Sequence, residues 1–283
     1  MIKLFKEAFK TSNDCIILTI PLVFFMWIIT LYIAFSSTTI SAPVEFAIAL
    51  VTLLFMLGAF FSGWFYMAKK AIAVSQRVYV LDEDRAKDTM RLFKEIPTGI
   101  GLYFLSFIGM CVLFLIIIAL SSAFVSFVGG LIIGNIDFTP QQLQAALNAA
   151  QGVDKTAFLS SLTLEQKLKL SDWRMLIVLA TTALSFLFML WIPEIIYSTP
   201  NPFVALLKSI KKLFCKFLNS LKLFVYLTFL NVLLTLLGAL ALLNPILYLF
   251  VMVLYFYFLI YVVVLLFSYY EREFCDKGQV EEA

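Results

Sequence analysis

Long apolar runs separated by short charged segments dominate the chain from Cys15 onward. A helix rising about 1.5 Å per residue crosses about 30 Å of hydrocarbon in about 20 residues. On that measure the runs predict six spans, at about 15–35, 46–68, 98–128, 175–193, 223–243 and 246–268. Pro43 and Glu45 mark the turn between the first two. The uncharged run from Leu223 to Ser268 would be about 69 Å long as one helix, so it crosses twice, turning at Asn244-Pro245. The run from Thr98 to Gly134 is about 55 Å as one straight helix, which overshoots a single crossing. Gly129-Gly130 and Gly134 are its predicted breakpoints, leaving a long tilted span and an interfacial or re-entrant piece.

The segments entering spans one, three and five share a pattern. Leu4-Phe5-Lys6-Glu7 recurs as Leu92-Phe93-Lys94-Glu95 and more loosely as Leu213-Phe214-Cys215-Lys216. In the third segment Phe203, Leu206, Leu207, Ile210, Leu213, Phe214 and Phe217 follow helical spacing. Lys208, Lys211, Lys212, Lys216 and Lys222 occupy its other face, and Asn201-Pro202 supplies an N-cap and a first-turn proline. Such a helix lies in the headgroup plane, which makes Lys208, Lys211, Lys212 and Lys216 candidate contacts to anionic lipid headgroups. The plainer reading is a connector whose lysines only enforce topology. The predicted fold is therefore all-α: six transmembrane helices arranged as three hairpins, each preceded by an amphipathic interfacial helix.

Composition agrees, since 63% of residues are apolar and 14% charged, where a soluble domain is roughly half apolar and a quarter charged. The polar stretches within the 283 residues are too short for a second core, so residues 1–283 read as one membrane domain. Of the 21 Lys and Arg residues, all but Lys155, Lys167, Lys169 and Arg174 fall on one side of the six spans. Basic loops stay in the cytoplasm, so both termini are expected there. The first apolar run is too long for a signal-peptide core and no A-x-A-like site follows it closely. The first helix is expected to remain.

An insertion at 135–172 on the opposite side breaks the threefold pattern. Thr139-Pro140-Gln141-Gln142 opens an alanine-rich stretch reaching Gln151, Thr163-Leu164-Glu165-Gln166 has the form of a capping box, and Gly152 separates the two. The insertion is either a lid or docking surface or a segment without a role. Trp173 at its end suits an interfacial aromatic belt, as do Trp64 and Tyr66 for the other face.

Candidate chemistry is sparse. Histidine is absent, which removes the commonest general base, zinc ligand and proton shuttle. Cys15, Cys111, Cys215 and Cys275 are isolated and read as packing residues or idle thiols. No catalytic or metal-binding set emerges, and neither a cofactor nor a nucleic-acid partner is expected; the expected partners are membrane lipids, anionic ones above all. Among span residues, Pro193 and Glu194 are the candidate transport-path pair: the proline opens the helix and leaves carbonyls free near a carboxylate. The alternative is an interfacial acid ending the helix. Asn231 and the group Thr181, Thr182 and Ser185 are expected to hydrogen-bond across helices.

The repeated units, with Asn201-Pro202-Phe203-Val204-Ala205-Leu206-Leu207-Lys208 entering span five and Tyr269-Tyr270-Glu271-Arg272 leaving span six, resemble the six-helix membrane domain attached to some bacterial glycerophosphodiester phosphodiesterases. They are similar also to stand-alone uncharacterised bacterial membrane proteins. The resemblance implies a bacterial cytoplasmic-membrane protein near lipid or envelope metabolism. It carries over no catalytic residue, because that activity belongs to a separate soluble domain. Two functional expectations follow: a non-enzymatic module that organises lipids or partner proteins, or a permease or lipid-moving transporter built from repeats.

Overall fold

The computed structural model describes residues 1–283 except 40, 41, 78, 80, 81, 151–157, 159, 242, 243 and 276–283; side chains of 82 and 147–150 are also left undescribed. The helices are α1 (Ile2–Asp14), α2 (Thr19–Thr39), α3 (Pro43–Ser75), α4 (Asp82–Arg91), α5 (Glu95–Ile132), α6 (Pro140–Ala150), α7 (Leu164–Phe188), α8 (Trp191–Tyr197), α9 (Pro202–Cys215), α10 (Phe217–Ala241) and α11 (Pro245–Phe274), with no strand among the described residues. Six helical stretches are long and apolar enough to cross a membrane: Ile16–Thr39, Pro43–Ser75, Glu83–Ile132, Leu164–Tyr197, Phe217–Ala241 and Pro245–Phe274. The chain is a helical, multi-pass membrane protein.

Several boundaries follow from local chemistry. Asn201 Oδ1 accepts from the Phe203 and Val204 amides at 3.1 and 3.2 Å, fixing the start of α9. Asn244 Oδ1 accepts from the Ile246 amide at 2.9 Å ahead of Pro245, so the long last run does turn where Asn-Pro stands. At the first turn, the Glu45 carboxylate accepts from the Ala42 amide at 3.1 Å.

The chain forms two compact units, one of Met1–Leu113 with Leu187–Ala283 and one of Phe114–Phe186. In the first, α1 packs along α11. The core lies at the end where α1 meets α11: Leu18 and Leu22, Phe65 to Ile72 of α3, Phe107, and Ile260 to Tyr270 of α11 supply its buried residues. Phe25 stacks on Phe60 at 3.8 Å, and Phe65 on Phe107 at 5.7 Å. Away from that end the same helices expose Leu31, Phe35, Ile48, Leu240, Ile246 and Phe250, apolar surface that lipid covers in a spanning protein. Trp64 is not in an interfacial belt but 3% exposed, because its indole N–H donates to the Leu18 carbonyl at 3.0 Å. Cys15 is a packing residue, and burial pushes its thiol up to about 12.

In the second unit α5 runs straight through Gly129-Gly130 to Ile132, contrary to the expected break. A Cβ on Gly129 would overlap the Trp173 ring. The glycine therefore seats an indole instead of ending a helix. The chain turns at Gly134, whose φ of +81° suits glycine, and its carbonyl accepts from Trp173 Nε1 at 3.2 Å. The insertion contains α6, and α7 begins at Leu164, well before the expected span start. Gln151, Gly152 and Lys155 lie outside the described residues.

Both expected helix starts are capping boxes: Thr139 with Gln142, and Thr163 with Gln166, each pair exchanging bonds of 3.0 and 3.3 Å. The two glutamine amides also bond each other at 3.1 and 3.2 Å. Gln142→Ala removes one of the two bonds of its capping box and both bonds of the amide pair, at a cost of about 1–2 kcal/mol. Hydrogen exchange at the first turns of both α6 and α7 is expected to quicken about tenfold, since about 1.4 kcal/mol is a factor of ten. Acceleration confined to α6 would mean the amide pair does not couple the two helices.

Candidate functional site

The fourth span is interrupted. α7 ends at Phe188, Met189 and Leu190 form a turn, and α8 restarts at Trp191. The break precedes Pro193, which sits inside the first turn of α8, where a missing N–H leaves no intrahelical bond unmade. The Trp191 indole anchors the restart by donating to the Pro202 carbonyl at 2.8 Å.

The new helix carries Glu194 into the protein interior, where it is 0% exposed. It is not an acid at a headgroup surface. Lys212 of α9 places Nζ 2.8 Å from Glu194 Oε2, and the Tyr270 hydroxyl of α11 donates to the same oxygen at 2.7 Å. The Lys212 ammonium also reaches the Tyr270 hydroxyl and lies 4.6 Å above its ring. Glu194 Oε1 has no hydrogen-bond partner among the described residues. A carboxylate out of water needs such an ammonium and hydroxyl, since an unpaired buried charge costs several kcal/mol.

Lys212 turns inward because it flanks the face of α9 that buries Ala205, Leu206, Ser209 and Leu213. Lys216 pairs with Glu273 at 3.1 Å. Lys208 and Lys211 are exposed and form no ion pair among the described residues. The four lysines thus divide: two fasten α9 to protein carboxylates and two face outward.

Beside this pair lies a second polar group. Tyr197 donates to Glu271 Oε1 at 2.6 Å, and the Lys69 ammonium rests 4.7 Å from the Tyr197 ring centroid. The Ile196 carbonyl receives Lys69 Nζ at 3.5 Å and the Tyr103 hydroxyl at 3.2 Å. Lys69, Leu102, Tyr103, Tyr197, Ser198 and Thr199 line a cavity of about 220 Å³ there. Burial raises the Cys275 thiol above its ordinary range.

Sequence reasoning found Glu194 and Lys212 but neither their partnership nor Tyr270, Tyr197, Glu271 and Lys69. The available signal was the Tyr269-Tyr270-Glu271 run ending the last span and a lysine pair, Lys69-Lys70, ending the second. Thr181, Thr182 and Ser185 do not bridge helices: each hydroxyl donates to the carbonyl four residues back, at 2.7–2.8 Å.

No protein-family model, curated protein or solved structure matches the chain.

Proposed function

We propose that this chain is a non-enzymatic module of a bacterial cytoplasmic membrane, with both termini cytoplasmic, that organises anionic lipids or protein partners through basic interfacial helices leading three hairpins. The observation that carries the reading is the two-sided surface of α9. Its inner face is buried, while Phe203, Leu207 and Phe214 are 55%, 55% and 58% exposed next to the outward lysines Lys208 and Lys211. Large apolar side chains flanked by free ammonium groups match the boundary between acyl chains and anionic headgroups. The resemblance drawn from the sequence points to the same membrane.

Each basic residue near an anionic leaflet contributes about 1 kcal/mol. K208E/K211E is therefore expected to abolish enrichment of anionic lipid around the protein, measured by lipid analysis of polymer-extracted native discs against the bulk membrane. Unchanged enrichment would sink the lipid reading and leave these lysines as topology signals.

Glu194 favours a second reading, a permease or lipid-moving transporter. An interrupted span beside a buried carboxylate is how carriers place ion and substrate sites. Lys212 and Tyr270 hold one carboxylate oxygen, so transport would require those contacts to open. Lipid scrambling by reconstituted protein that is lost in Glu194→Gln would establish this reading; no scrambling above empty vesicles would exclude it for lipid.

A further inference from the structure

The cavity at Lys69 is a different place from the outer face of α9, and its contents can be argued from its walls. At about 220 Å³ it holds roughly seven waters at about 30 Å³ each, far more space than its hydroxyls require. Lys69 is its one charged lining group among the described residues, and that ammonium makes no ion pair there. The nearby acid, Glu271, accepts from Tyr197 and attracts the Lys69 ammonium at longer range, without a direct ion pair. Lys69 itself makes one weak bond, at 3.5 Å, to the Ile196 carbonyl and rests over the Tyr197 ring. The Ser198 and Thr199 amides are turned back to the Glu194 carbonyl at 3.0 and 3.1 Å, and the Ser198 hydroxyl is engaged with Tyr270, so the donors offered to a guest are the ammonium and the Thr199 hydroxyl. Such a set suits an oxyanion such as phosphate.

The wall opposite is apolar. Leu102 is on the cavity rim and is 57% exposed; Leu105, one turn further along α5, is 80% exposed. Gly101 beside them has nothing within 4 Å of where a Cβ would stand. A cationic, hydroxyl-lined seat opening onto a smooth apolar track at the end of a span is complementary to an amphiphile. A soluble anion has no use for the track.

We infer that this cavity seats the phosphate group of one phospholipid molecule, bound by Lys69 with Thr199, while an acyl chain lies along Gly101, Leu102 and Leu105. The inference rests on the lipid-facing reading of this end of the bundle, but at a specific site of one lipid per chain.

Phosphatidylglycerol titrated into the detergent-purified full chain and followed by native mass spectrometry is expected to give one tightly held lipid per protein. Lys69→Gln weakens it at least tenfold, and Gly101→Leu, which fills the track in open space, does the same while leaving Lys69 intact. Melting temperatures without lipid are recorded for each variant, so that failure to fold is recognised; Gly101→Leu then carries the decision. K208E/K211E is expected to keep the single lipid even where it loses lipid enrichment in native discs, which separates failure of this site from failure of the α9 reading. The inference is overturned if the single lipid persists in Lys69→Gln or Gly101→Leu. It is also overturned if glycerol 3-phosphate raises the melting temperature as much as the lipid does, since that places a soluble anion in the seat.

Discussion

Gly99→Ala is expected to destabilise the protein by about 2–3 kcal/mol, whereas Gly101→Ala, two residues along the same helix, leaves stability unchanged or raises it by up to about 1 kcal/mol. A Cβ on Gly99 would stand 2.9 Å from the Ser62 carbonyl oxygen and 3.0 Å from Gly63 Cα. Those atoms are backbone and cannot rotate away. A Cβ on Gly63 meets the Ile96 carbonyl oxygen at 2.8 Å from the other side. Helices α3 and α5 thus cross in direct main-chain contact, and a single methyl forces them apart. Dispersion contacts fade over the first ångström of separation, so much of this crossing is lost at once. Gly101 has open space and gains only helix propensity. Denaturant unfolding of the two variants in the same micelles decides the matter; equal stabilities would mean the crossing is looser than the geometry gives.

Glu194→Ala is the second large effect, expected to cost about 3 kcal/mol, the lower end for breaking a buried pair, because Lys212 keeps 26% of its exposure. The alanine leaves an ammonium and the Tyr270 hydroxyl facing a void. Glu194→Gln keeps an oxygen for both donors and should cost less than half as much. The double variant Glu194→Leu/Lys212→Met removes both charges, and replacing a buried pair by apolar residues of similar volume is close to neutral. Melting temperatures are expected to rank the double variant and Glu194→Gln above Glu194→Ala. If the double variant is as unstable as Glu194→Ala, packing at position 194 dominates and the charge pair contributes little.

What the sequence discloses depends on how far the deciding contact is along the chain. The caps at Thr139, Thr163, Asn201 and Asn244 are legible because donor and acceptor stand two or three residues apart. The apolar spans are legible because bilayer thickness, not a partner, sets their length. Gly129-Gly130 misleads because a helical glycine can break a helix or admit a ring, and the choice belongs to Trp173. Among the lysines of α9, spacing alone cannot pick Lys212 as the inward one. Its partners are the distant Glu194 and Tyr270, themselves 76 residues apart in sequence. Trp64 is hidden for the same reason: its acceptor at Leu18 lies 46 residues earlier.

The meeting of α1 with α11 has a consequence for biosynthesis. Asn13 accepts from Tyr257, 244 residues later, at 2.6 Å, Phe5 stacks on Tyr226 at 4.0 Å, and Glu7 lies 3.8 Å from Arg272. Helix α1 therefore leaves the ribosome well before α11, on which it docks, and at about 5–20 residues per second it waits on the order of 10–50 s. Glu194 and Lys212 wait in the same way for Tyr270. A nascent chain halted before α11 has its earlier spans inserted but this keystone missing, and such a chain presents an undocked α1 and an incompletely satisfied charge pair to the membrane's quality-control proteases.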